Sequence, residues 1–185
     1  MIRFLFVFSL CALLFGCASQ KSIISDFGND GSAKSLVQLD PNKTIYITFP
    51  SAKLNQNIST PAYALKVSEA IQKAFEPYVK NIGVAKRSQT DLVNLQRAKQ
   101  GGYVYLVEPT IDKWSDNRTF WTGVPDEVEI EIDVFDTATG ELVDHFDITG
   151  TSSLMPSINF KPYELLSEPL NRISAQLFKA SSKHV

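Results

Sequence analysis

Cysteine is nearly missing from this 185-residue chain: the two copies, Cys11 and Cys17, both sit at its N-terminal end. The rest can therefore hold no disulfide, no thiolate zinc site and no cysteine nucleophile. Histidine is equally scarce, with only His145 and His184. Paired metal-binding histidines at helical spacing, a Gly-x-Ser-x-Gly nucleophile elbow and a phosphate-cradling glycine loop are all absent. There is no basic excess either. The 18 Lys and Arg are outnumbered by 20 Asp and Glu, for a net charge of −2, which argues against a nucleic-acid partner. The chain also lacks a run of about 20 apolar residues, the length a membrane-crossing helix requires.

What is present begins with a shorter apolar run. Arg3 gives a basic start, and residues 4–15 (FLFVFSLCALLF) are uncharged and apolar. That length suits the hydrophobic region of a signal peptide. The run ends in Leu14-Phe15-Gly16-Cys17, which resembles the lipobox of bacterial lipoproteins: Leu, then a small residue, then the Cys that is acylated. Cleavage is expected between Gly16 and Cys17, with lipid attached at Cys17. The competing reading is an ordinary signal peptide with an incidental cysteine. Cys11 lies inside the apolar run and makes a poor attachment site. Ala18 follows the cysteine in place of Asp, and the lipoprotein sorting rule this resembles implies the outer membrane, with the domain facing the periplasm. Two or more acyl chains would make that anchoring stable.

Four segments are expected: signal peptide 1–16, a lipidated cysteine with flexible spacer 17–41, a globular domain 42–180, and a frayed tail 181–185. The spacer is rich in Ser, Asn, Asp and Gly and shows no apolar period. Within the domain, residues 43–49 alternate as a strand, and Thr60-Pro61 reads as the start of a helix. Ala64, Val67, Ile71, Ala74 and Tyr78 form that helix's apolar stripe, and Pro77 ends it near Phe75 or Glu76. A weak strand over 81–88 precedes a second helix capped by Thr90, with Leu92, Leu95 and Ala98 inward and Gly101-Gly102 as its stop. Residues 103–108 read as a central strand and 113–126 as a polar loop. Residues 127–136 alternate cleanly and turn at Thr137–Gly140 into a return strand over 141–149. Leu166, Leu170, Ile173 and Leu177 mark a C-terminal helix whose regular part starts near Ser167 or Glu168, because Pro169 fits only a first turn. The expected fold class is α+β: one domain, a mixed four- to five-stranded sheet in the order β-α-β-α-β-β-β-α, with helices mainly on one face.

Two features could carry function. Glu127, Glu129, Glu131 and Asp133 line one side of one strand. Such a row suits a cation or a basic partner, but residues two apart lie about 6.6 Å from each other, so holding an ion would need convergent ligands from a loop, and none is evident. The expected reading is a solvated face with no metal or cofactor, and His145, on the hairpin face opposite Leu142, Phe146 and Ile148, reads as a surface residue and not as a base. The second feature is the loop bearing Trp114, Arg118, Phe120 and Trp121, residue types enriched at interface hot spots. It is either a partner contact or a satellite cluster folded back on the domain.

The lipobox, residues 45–50 (IYITFP), the Trp-containing stretch 114–130, the 136–140 turn (DTATG) and residues 164–170 (ELLSEPL) together resemble an uncharacterised family of proteobacterial lipoproteins, the domain of unknown function 4823. This resemblance implies membership without an activity or catalytic residues. The element order is more loosely similar to the N-terminal domain of the Tol-Pal propeller protein and to envelope-assembly lipoproteins such as cell-wall synthase activators and curli-secretion subunits. Together these imply a non-enzymatic outer-membrane lipoprotein that binds or helps assemble an envelope component, with no small-molecule substrate. Two alternatives remain open: a secretion-pore subunit inserting its 127–149 hairpin into the bilayer, and a cell-envelope enzyme.

Overall fold

The computed structural model describes residues 21–25, 37–53, 61–117, 119–152 and 161–178. The signal peptide, Cys17 and the tail beyond 180 lie outside them. The strands are β1 (Lys21–Ser25), β2 (Ile45–Ile47), β3 (Ser51–Ala52), β4 (Ile82–Val84), β5 (Tyr105–Ser115), β6 (Glu127–Asp136) and β7 (Leu142–Thr151). The helices are α1 (Pro61–Phe75), α2 (Asp91–Gln100), the single turn α3 (Thr119–Thr122) and α4 (Ser167–Leu177), with a 3₁₀ turn over Pro162–Leu166. They form one mixed sheet in the order β1-β7-β6-β5-β2-β4, and β3 continues beside β5 past Pro50. The α+β class and the alternation of helices with early strands are as the sequence implies. The sheet is wider than expected.

Periodicity explains the best-matched elements. In β6, Val128, Ile130, Ile132 and Val134 are fully buried, while the acidic residues between them stay partly exposed. Across the ladder Ile132 meets Phe146 and Ile130 meets Ile148, so two strands supply one apolar face. Val67, Ile71 and Phe75 of α1, with Leu170, Ile173 and Leu177 of α4, cover that face and close the main core. A smaller core lies on the other side, where Ala98 of α2 packs on Tyr46 and Leu106. Thus α1 and α4 share one face, and α2 lies on the opposite one, over β2 and the adjoining part of β5. The remaining part of that opposite face, over β5, β6 and β7, carries the polar row.

Four sequence expectations are corrected. Lys21–Ser25 lies within the stretch read as spacer, yet it pairs antiparallel with β7 from Lys21↔Thr151 to Ser25↔Asp147. Leu39, also assigned to the spacer, is buried in the main core, and its N–H donates to Leu177 O at 2.7 Å. The loop read from 113 begins later, because β5 runs through Lys113 and Trp114 to Ser115 after a bulge. In α2 it is Asn94 that is buried and Leu92 that is exposed. The helix is rotated so that Asn94 reaches Glu108 on β5, a polar contact that an apolar period cannot reveal.

Asp144 is a further departure from simple alternation. It shares the inward side with Phe146 and is fully buried. The buried carboxylate is satisfied by two backbone donors, Val37 N–H at 2.9 Å and His145 N–H at 2.9 Å. One acid thereby fixes the entry of the chain to β7.

Candidate functional site

The β5–β6 connection, residues 116–126, is the best-organised exposed feature. Asp126 is buried, and its Oδ1 accepts the Asn117 N–H. The Asn117 Nδ2 donates to Pro125 O at 2.6 Å, and the Thr122 hydroxyl donates to Asn117 O at 2.8 Å. Asp126 and Ser152 close the base: the Asp126 N–H donates to Ser152 Oγ at 2.8 Å, and the Ser152 N–H to Asp126 O at 2.9 Å. Gly123 adopts φ +68°, a left-handed turn that a side chain would strain. The loop is therefore clasped at both ends, with α3 at its tip.

This clasp separates the two tryptophans. Trp114 lies on the inward side of β5, packs against the main core and stacks on Tyr63 of α1 with ring centroids 4.8 Å apart. It is a packing residue. Trp121, on α3, is 81% exposed, and Val124 beside it is exposed as well. Arg118 and the Phe120 side chain fall outside the described residues. The proposed contact set is thus divided: Trp114 belongs to the core and Trp121 to the surface. Sequence could not tell them apart, because the distinction depends on β5 extending to Ser115 in the register that turns Trp114 inward.

The acidic face of the sheet is the second candidate. Asp133 lies directly opposite His145 in the β6–β7 ladder, and Glu131 opposite Asp147. His145 Nδ1 is 2.7 Å from Asp133 Oδ1 and 3.8 Å from Glu131 Oε1. The convergent donor comes from the neighbouring strand and not from a loop: it is this histidine, which reads from the sequence only as a surface residue. Glu131, Asp133 and His145 each offer one donor atom, all within 4.8 Å of one another, a spacing at which three ligands can share a metal ion. The same carboxylates already have protein partners. Lys53 bridges Asp112 at 2.8 Å and Glu131 at 3.0 Å, and both hydrogen bonds hold its ammonium protonated well above the usual range. Partial burial lowers the His145 pKa, but the Asp133 hydrogen bond and the charges of Asp133, Asp147 and Glu131 outweigh it, for a net rise. Burial, with Glu131 and Asp112, raises Asp147 against the opposing His145 and Lys53.

Residues 37–177 match the family model described as "Domain of unknown function (DUF4823)". The chain belongs to that family. It is the family whose residue pattern the sequence resembles. No curated protein matches this DUF4823 chain. Among solved structures it is similar to the PelC dodecamer from Paraburkholderia phytofirmans, at 10% identity and a TM-score of 0.55, covering 86% of this chain and 97% of that one. The protein XCC0632 from Xanthomonas campestris is similar at 9% identity and a TM-score of 0.47, over 76% of this chain and 89% of that one. Lipoprotein GNA1162 from Neisseria meningitidis follows at 11% identity and 0.43, over 72% and 96%. At such identities the PelC likeness is one of fold, and a fold does not fix a function.

One group in the DUF4823 domain gives a pH-dependent expectation. Glu108 sits half-buried where α2 meets the acidic face, and its Oε1 is enclosed with no hydrogen-bond partner. Burial first, then the charges of Asp91 and Asp133, lift its carboxyl from 4.5 to about 7, against a lowering hydrogen bond from Asn94. A carboxyl raised in the folded state keeps its proton while the unfolded chain loses it, so stability falls as pH rises from about 4.5 to about 7. Solvent screening at this half-exposed position leaves about 1 kcal/mol of the effect. Glu108→Gln is therefore expected to raise the melting temperature at pH 8 and to change little at pH 4.5. Equal effects at both values would contradict this origin.

Proposed function

We propose that the protein is an outer-membrane lipoprotein, cleaved after Gly16 and acylated at Cys17, whose domain faces the periplasm as a non-enzymatic binding or assembly accessory of the envelope. The lipobox-like Leu14–Cys17 supports the anchor, and membership of the family supports a domain with no assigned activity. Trp121 carries the binding part of the reading. A large aromatic held outward on a clasped loop is the kind of residue that anchors a contact, because burying it on association yields much apolar area at little entropic cost. The acidic face offers less for catalysis: its carboxylates are spread along strands and engaged with Lys53, Lys113 and His145.

The pore alternative loses support from the packing of its hairpin. The apolar side of β6 and β7 lies under α1 and α4, so bilayer insertion would first have to empty the core. Among the described residues, no helix is long and apolar enough to cross a membrane.

Trp121→Ala tests the reading. The residue is exposed, so the melting temperature should move by no more than the equivalent of about 0.5 kcal/mol. In-cell photo-cross-linking from a probe at position 124 should then lose its specific envelope product. A drop in melting temperature of several degrees, with cross-linking intact, would make Trp121 a packing residue and remove the contact.

A further inference from the structure

We infer that the envelope component met by the Trp121 loop is the lipid bilayer itself, at its headgroup interface. This rests on acylation at Cys17. The argument comes from strand register. Lys21, the first residue of β1, pairs with Thr151; Thr151 pairs with Glu127; and Glu127 pairs with Ser115. All four lie at one end of the sheet, and the loop over 116–126 projects from that same end. Lys21 follows Cys17 by four residues, which reach about 14 Å at full extension. The β1 and β6 strands are two ladder spacings apart, about 10 Å. A lipid on Cys17 therefore holds the loop end of the sheet close to the membrane and directs the opposite end, with the Thr137–Gly140 turn, away from it.

The residues at that end suit an interface. Trp prefers the headgroup level, where its apolar rings and its N–H are both accommodated. Trp121 and Val124 are exposed there. Among the described residues at this end, Lys161 Nζ pairs with Asp116 at 3.1 Å, Lys113 pairs with Glu127, Asp126 is buried, and the exposed Glu164 carboxylate accepts the Lys161 N–H at 2.8 Å. An anionic lipid surface thus meets little opposing charge. The acylated cysteine and the inserted tryptophan would act as two contacts on one rigid body, fixing the domain's orientation as well as its location.

The test uses the full lipidated protein in vesicles of phosphatidylethanolamine and phosphatidylglycerol, with brominated acyl chains as quenchers and no other protein. Tryptophan emission should be quenched in the wild type, and Trp121→Phe should remove most of the quenching, because Trp114, the other tryptophan, packs on Tyr63 and the main core. Inserting a flexible ten-residue segment between Cys17 and Lys21 should reduce quenching of Trp121 as well, with the melting temperature unchanged. Protein recovered with the vesicles but unquenched at Trp121 would overturn the inference and leave the lead reading standing, with a protein as the loop's target. Protein not recovered with the vesicles at all would instead overturn acylation at Cys17.

Discussion

Cys17→Ser is expected to abolish fatty-acid labelling and to move the protein from the membrane fraction to the soluble periplasmic fraction. The expectation follows from the arithmetic of anchoring. Each buried methylene contributes about 0.8 kcal/mol, so one chain binds a membrane reversibly while two or more bind it stably. A single exposed Trp cannot replace that contribution. It orients a domain already held at the surface, and the variant should therefore leave the membrane almost completely. Fractionation with metabolic palmitate labelling measures both effects together. Retention of an unlabelled Cys17→Ser protein would mean that the apolar run 4–15 stays in place as the anchor.

The largest expected loss of stability comes from Phe146→Ala. Phe146 is fully buried in β7, faces Ile132 across the ladder and lies in the main core. Truncating such a residue removes its transfer free energy and leaves a cavity, together about 3–5 kcal/mol. A domain of this size has about 5–15 kcal/mol in all, so the variant should melt roughly 10 °C lower and unfold at distinctly lower urea. His145→Ala, one position earlier, is the matched control. Its side chain lies on the opposite, polar face, and its removal should cost no more than about 1 kcal/mol at neutral pH. Comparable losses at 145 and 146 would contradict the alternation on which the sheet's two faces rest.

That pair also illustrates how much structure local pattern can convey. Alternation located β6 to the residue and assigned both faces of the β6–β7 hairpin. The Thr60-Pro61 start and the position of Pro169 likewise located α1 and α4, because caps and proline act through local sterics. The missed features depend on distant partners. Nothing in residues 21–25 announces a strand, because its hydrogen bonds go to residues 147–151. Leu39 ends the short stretch Leu36-Val37-Gln38-Leu39, which has no sustained period of its own, and its place in the core follows from α4. The candidate site was legible as a set of residue types but not as an arrangement. Trp114 and Trp121 look alike in the sequence, and only the extension of β5 turns one inward. His145 read as a surface residue until the hairpin register set it against Asp133.

The direction in which β1 runs also decides how the domain would respond to mechanical load. Tension on a lipid at Cys17 would enter at Lys21, the outermost pair of the β1–β7 ladder. Directed off that end of the sheet, it would run along β1 and across its hydrogen bonds, so the five-residue ladder would be loaded in shear, all pairs together. Release would go no further than Val37, whose N–H is held by the buried Asp144, and Leu39, held to Leu177. The tether would lengthen from four residues to at most twenty, a reach of no more than about 70 Å. A short leash at rest would become a long one under strain, with the folded core intact at either length.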